Sequence, residues 1–126
     1  MAKDERTVYT IKMDDNQGDV VIADEVIGVI AGLAAIEVEG VASMAGNATK
    51  ELISKLGKKL LSKGVKVDVL ESVVSIAIAI NLKYGYNVMN VSKKVQEKVK
   101  ATVESMTGLT VADVNVRIAG VEVDAE

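Results

Sequence analysis

Apolar and polar residues follow two different periods along this chain, and the change of period predicts where strands and helices lie. Between residues 65 and 82, valine and isoleucine alternate with small or polar residues in two runs, VKVDV and SIAIAINL, separated by Glu71-Ser72. Alternation of this kind is typical of strands with one buried face, and two runs so close together predict an antiparallel hairpin. The closing run LTVADVNVRIAGV predicts a further strand, with Val114, Val116 and Ile118 on one face.

Spacings of three and four predict amphipathic helices on either side of the hairpin. Leu52, Leu56 and Leu60 form an apolar stripe that predicts a helix over 49–63. A second helix is predicted over 88–107 and ends at Gly108. Its stripe consists of Val88, Val91, Val95, Val99, Val103 and Met106.

The most apolar run, VIGVIAGLAAI at 26–36, predicts a buried helix over 25–38 with Asp24 as its N-cap. A membrane-spanning helix needs roughly 20 apolar residues, so this run is too short to cross a bilayer. The glycines at 28 and 32 lie inside the helix, with the wrong spacing for a dinucleotide or phosphate loop. The small residues in this run instead favour close packing within a core.

Together these elements predict one fold class, an α+β two-layer sandwich with helices on one face of a small, mainly antiparallel sheet. Its core has the order helix-strand-strand-helix-strand and is preceded by a strand and a helix. Shorter strands are predicted at 7–13, 19–22 and 41–44, and YGYN at 84–87 predicts a loop. We expect residues 1–17 to form a polar arm with a short strand, and residues 18–126 to form a single domain.

The amino-acid composition excludes most kinds of catalytic site. The chain contains no cysteine and no histidine, which excludes disulfides, thiolate sites and the usual zinc sites and serine triads. No paired carboxylates and no nucleophile with a neighbouring base stand out, so we expect no enzyme activity, no metal and no cofactor. The polar N-terminus has no signal-peptide core, and a cytoplasmic location is expected.

Charge is distributed unevenly, although the whole chain carries only −3. Residues 50–100 hold eleven lysines and four acidic residues, a net of +7, and the remainder carries −10. These lysines are a candidate interaction surface, namely Lys55, Lys58, Lys59, Lys63, Lys93, Lys94 and Lys98. A solvated helix face, an acidic protein surface, anionic lipid and nucleic acid all remain open as interpretations.

Nucleic acid is the alternative from a different functional class. The order of helices and strands is similar to that of KH modules, which would use the lysine-rich helices to bind phosphates. The G-x-x-G loop of those modules is absent, however, and so are the stacking aromatics of other RNA-binding folds.

The sheet face opposite the helices is the other candidate surface. Small residues of the second hairpin strand, Ser75, Ala77 and Asn81, could admit a close partner, and Asn115 and Arg117 of the last strand add polar groups. Tyr84 and Tyr86 either cap the edge of the core or anchor a partner, since tyrosine is enriched at the centres of interfaces. Whether the sheet face is wet, covered by the N-terminal elements or covered by another subunit stays open.

Three segments together resemble the alkaline shock protein family of Gram-positive bacteria, an envelope and general stress response family. They are GDVVIADEVIGVIAGLAAIEVEGVASM, GVKVDV with SIAIAINLKYGYNV, and VQEKVKATVESMTGLTVADVNVRIAGV. The resemblance covers residues 18–121 and implies a small cytoplasmic protein without enzymatic activity that self-associates. Some relatives are held near the membrane by a separate, membrane-anchored partner. The chain stops soon after its last predicted strand, whereas some relatives carry longer charged tails.

These observations lead to the hypothesis of a self-associating scaffold or adaptor in cell-envelope homeostasis, most simply a homo-oligomer. Acidic groups of the first helix and the termini of one subunit would meet lysine-rich helices of the next. Such a heterologous contact builds rings or filaments.

Overall fold

A computed structural model of the protein describes residues 8–12, 19–44 and 64–123. The elements in chain order are β1 Val8–Lys12, β2 Asp19–Ala23, α1 Asp24–Ile36, β3 Val41–Met44, β4 Val65–Leu70, β5 Val73–Lys83, α2 Val88–Thr107 and β6 Thr110–Glu122. The α+β class expected from the sequence is confirmed. The helix expected over 49–63 lies outside the described residues.

Strand β5 is the centre of the main sheet and is paired on both of its edges. Strand β6 runs parallel to it from Val73 to Lys83 along one edge. Strands β4 and β3 both run antiparallel to β5, β4 against 73–78 and β3 against 80–82. Because a strand has only two edges, β3 and β4 must share the second one, lying end to end in the same direction.

Helices α1 and α2 pack beside each other on one face of this sheet. Their buried residues join alternate residues of β5 in a single apolar cluster. The members with no exposed surface include Ile27, Ile76, Ile80, Val95 and Val99. The first helix therefore covers the core.

Helix α1 confirms the buried helix predicted for VIGVIAGLAAI. Its buried side includes both glycines and all three alanines, so small residues face the neighbouring elements. The predicted N-cap is wrong, because the cap is Ala23 and makes no side-chain hydrogen bond. Asp24 and Glu25 lie instead within the first turn, where a carboxylate interacts favourably with the positive end of the helix dipole.

Helix α2 has the predicted limits, and local hydrogen bonds explain both ends. The Asn87 side chain accepts a hydrogen bond from the Asn90 N–H at 2.9 Å, and Gly108 terminates the helix in the left-handed conformation. The Thr107 hydroxyl donates to the Val103 carbonyl and accepts from the Leu109 N–H. The predicted stripe is buried only in its middle, since its end members, the valine at 88 and the methionine at 106, are 45% and 66% exposed.

The turn between β4 and β5 contains only two residues, Glu71 and Ser72, with φ angles of 53° and 71°. Hairpin turns of this length match the twist of the strands when both residues have positive φ. Neither residue is the asparagine or glycine that usually supplies that conformation. Strands β1 and β2 form a separate antiparallel pair, and β2 leads directly into α1.

Candidate interaction surfaces

The face of the main sheet opposite the helices, called here the open face, has small residues along its centre. On β5 these are Ser75, Ala77, Ala79 and Asn81, all half-buried, and they alternate with fully buried residues that face the helices. A shallow depression of about 360 Å³ lies over Ala77 and Ala79. Among the described residues, no second layer covers this face.

Charged residues on the flanking strands give the open face two unlike ends. Asp68 of β4 and Asp113 of β6 lie on either side of Ser75. The next row places Lys66 beside Ala77, and the row after that places Arg117 beside Ala79. Because successive rows are about 7 Å apart, the face changes from acidic to basic within a short distance.

A partly buried polar network lies beyond Arg117 at the end of the open face. Ser43 of β3 has no exposed surface, and its hydroxyl donates to Glu122 Oε2 at 2.8 Å. The hydroxyl oxygen of Ser43 also accepts a hydrogen bond from Asn81 Nδ2 at 3.0 Å. The contact joins β6 to β3 across the central strand and fixes the position of the Glu122 carboxylate.

The lysines of α2 lie on the other side of the molecule. Lys93, Lys94 and Lys98 are exposed on the outer surface of the helix layer, while the open face is on the far side of the sheet. Lys98 Nζ lies 3.6 Å from Glu37 Oε1, just beyond the end of α1, and both side chains are about half exposed. An exposed pair of this kind contributes about 0–1 kcal/mol, so it leaves the lysine surface essentially intact.

The two loop tyrosines have different environments. Tyr84 is 73% exposed, whereas Tyr86 is 40% exposed and donates a hydrogen bond to Glu39 Oε2 at 3.2 Å. This hydrogen bond and the negative charge of Glu39 raise the pKa of the Tyr86 phenol. The ring of Tyr86 also contacts Gly40, whose φ is 101° and where an added Cβ would lie 2.8 Å from a ring carbon. Tyr86 is therefore held against the residues that precede β3, and Tyr84 is the more exposed of the two.

The outer edge of β6 carries functional groups that sequence reasoning missed. Glu104 of α2 accepts a hydrogen bond from the Val111 N–H at 2.9 Å, and Gln96 donates to the Val114 carbonyl at 3.0 Å. Two helix side chains thus bind backbone groups that point away from β5. No local sequence signal marks this role, because it depends on how the helix lies over the strand.

The residues that the sequence predicted as one interaction surface therefore do not all lie together. The lysines at 55, 58, 59 and 63 lie outside the described residues, and those at 93, 94 and 98 lie on the helix layer. The open face brings together Ser75, Ala77, Asn81, Asn115 and Arg117. In the described ranges no three acidic side chains come close enough to hold a metal ion, and no helix there is long and apolar enough to cross a membrane.

Helices on one face of a mainly antiparallel sheet, with a polar face left open on the other side of the described part, define a two-layer α+β domain. Comparison with known proteins gives the family. Residues 12–123 match the model of the alkaline shock protein 23 family, described as having a cell envelope-related function, and the chain belongs to this family. This confirms the resemblance drawn from the sequence.

Relatives from two genera are similar over nearly the whole chain. YqhY of Bacillus subtilis (strain 168) is 39% identical over 113 residues, which cover 90% of this chain and 84% of that protein. YloU of the same strain is 35% identical, with 90% and 97% covered. Spy1614 of Streptococcus pyogenes serotype M6 is 35% identical, with 93% and 98% covered.

Among solved structures, variants of the MamM CTD have a similar fold. One of them has a TM-score of 0.50 at 15% identity and covers 79% of this chain and 96% of its own. A copper form has a TM-score of 0.50 at 14% identity, with 79% and 99% covered. At this identity the similarity concerns the fold alone.

Proposed function

We propose that this protein is a non-enzymatic scaffold or adaptor of the cell-envelope stress response. It self-associates in the cytoplasm, and a membrane-anchored protein partner brings it to the membrane. The observation that carries this proposal is the open face, whose central row of serine and alanine admits close approach of another surface. Membership of a family with a cell envelope-related function supports the cellular setting.

The charges of the open face favour self-association. Two copies related by a two-fold axis would bring the acidic end of one face, at Asp68 and Asp113, against Lys66 and Arg117 of the other. Such an isologous contact is self-complementary, because every pair occurs twice. On the open face, opposite charges lie only one or two rows apart, so both signs are available within a single surface. We therefore place the contact between copies on the sheet rather than between helices.

The lysines of α2 provide the surface for the partner. They lie on the opposite side from the open face, so a copy bound through its sheet can still present them. Charge complementarity sets orientation and association rate, so a partner with an acidic surface fits them. A scaffold needs two such independent surfaces.

Self-association is tested by sedimentation velocity over a wide concentration range at low and high salt. We expect concentration-dependent oligomers that weaken as salt rises. Ala77→Arg places a long cation in the centre of the open face and should shift the equilibrium toward monomer. Ala101→Arg adds the same side chain to the exposed side of α2 and should leave it unchanged. A strict monomer at high concentration and low salt would refute the proposal.

The membrane partner is tested by flotation with native envelope membranes. We expect the protein to bind these membranes, and we expect this binding to disappear when the membranes are first treated with protease. The substitution Lys94→Glu should weaken the binding. Binding that is equally strong to protein-free vesicles of anionic lipid would contradict a protein partner.

A further inference from the structure

The outer edge of β6 is only partly covered by the protein's own groups. Glu104 and Gln96 bind the backbone at Val111 and Val114, in the first half of the strand. Beyond Val114 no hydrogen-bond partner for this edge occurs among the described residues. An uncovered edge strand presents a row of backbone donors and acceptors that can pair with another strand.

The direction of each backbone group on β6 follows from its hydrogen bonds. The Glu122 carbonyl accepts from Tyr84, so Glu122 faces β5 and its neighbour Val121 faces outward. Val114 faces outward because its carbonyl binds Gln96, and alternation then turns Val116 and Ile118 outward as well. Counting forward from Val114 and backward from Glu122 gives directions that agree only if one extra residue lies between Ile118 and Gly120. The register shift opposite Ile80 and Asn81 supplies that residue.

The spacing of these outward groups is self-complementary. In an antiparallel pairing that sets Ile118 against Val121 of a second copy, Val116 falls opposite Val123 of that copy. All four residues have backbone groups that face the other strand, so every one of these pairs can exchange hydrogen bonds. The two irregular residues, Ala119 of each copy, then meet near the two-fold axis, and neither strand has an unmatched residue.

We propose that the second half of β6 together with the residue that follows it, Val116–Val123, is a seam through which two copies of this chain pair edge to edge. The seam deepens the proposed self-association and rests on it, and it is separate from the contact between open faces.

Side chains on both faces of the seam suit a second copy. On the open face, Arg117 falls opposite Glu122 of the other copy, whose carboxylate Ser43 holds in place. On the helix side, Ile118 meets Val121, which is 53% exposed in the single chain. Opposite charges and β-branched residues on facing strands are stabilising cross-strand pairs. A foreign strand would have to supply the same pattern, whereas a second copy does so by symmetry.

Disulfide trapping tests the register directly, because the chain has no cysteine of its own. In the proposed pairing, residues 117 and 122 form a non-hydrogen-bonded pair with Cα atoms about 4.5 Å apart, which suits a disulfide. Two copies of residue 117 lie about 17 Å apart, five residues along the strand. We expect a mixture of Arg117→Cys and Glu122→Cys chains to form a covalent dimer under mild oxidation. Neither variant alone should do so.

Charge exchange gives a second readout without oxidation. Arg117→Glu and Glu122→Arg should each weaken edge pairing, because each places like charges opposite one another. Mixed in equal amounts, the two variants should form heterodimers, since every facing pair is then of opposite charge. Circular dichroism checks that each variant is folded.

The outcomes separate the seam from the proposed function. If the parent chain self-associates but the cysteine mixture gives no more cross-linking than either variant alone, the seam is wrong and self-association stands. If the parent chain is strictly monomeric, both fail. Trapping of an unrelated protein in place of the second copy would overturn the choice of occupant.

Discussion

The two-residue turn at Glu71 and Ser72 gives a prediction whose sign can be worked out from the backbone alone. A residue with a Cβ costs about 1–2 kcal/mol in the left-handed region, and glycine avoids this cost. Glycine in turn loses about 0.5–1 kcal/mol more conformational entropy on folding. Ser72→Gly should therefore raise the free energy of unfolding by about 0.5–1 kcal/mol. For a chain of this size, that corresponds to a melting temperature about 2–4 °C higher.

The measurement is urea unfolding followed by circular dichroism, at a concentration where parent and variant have the same oligomeric state. Ser105→Gly is the matched control, because Ser105 is exposed near the end of α2 and has helical backbone angles. The same substitution there should lower the free energy of unfolding by about 0.5 kcal/mol, since glycine is a poor helix former. The reasoning would be refuted if both substitutions destabilised the protein equally.

Three further predictions concern the core, the loop before β3 and one titration. Ile80→Ala, at a position with no exposed surface, should lower the free energy of unfolding by about 2–5 kcal/mol in the same assay. Gly40→Ala should destabilise by at least about 2 kcal/mol, because a Cβ is strained at its φ of 101° and meets Tyr86, and an unchanged urea midpoint would contradict this. Glu39→Gln should lower the pH at which Tyr86 ionises, because it removes the negative charge that disfavours the phenolate. Absorbance at the phenolate band, with the other two tyrosines replaced by phenylalanine, measures this shift, and an unchanged midpoint would contradict it.

Local periodicity was enough to locate most of the described elements. Helix α2 has the predicted limits because a single stripe of valines and a terminal glycine specify it without help from the rest of the fold. The hairpin of β4 and β5 was also predicted correctly, since neighbouring strands pair through a short turn. The N-cap of α1 was wrong because β2 continues directly into the helix, so Asp24 already has helical angles.

Local periodicity did not predict which distant strands pair with each other or which distant side chains come into contact. The alternation in β6 predicts a strand but does not say that it runs parallel to β5, because pairing partners leave no period in the sequence. The contacts of Ser43 with Glu122 and of Glu104 with Val111 depend on that arrangement and were missed with it. The open face was predicted because the small residues of β5 alternate with large ones, which fixes the side on which they lie.

The placement of β3 and β4 gives the lysine-rich region a particular position in the topology. Met44 lies opposite Ile80, Gly64 binds Ala79 and Val65 lies opposite Ile78, all on one edge of β5. Strands β3 and β4 thus lie end to end along this edge like two halves of one strand, and residues 45–63 connect them. The chain therefore leaves the sheet at Met44 and re-enters it at Gly64, beside consecutive positions of β5, so the two ends of this long connection are held close together.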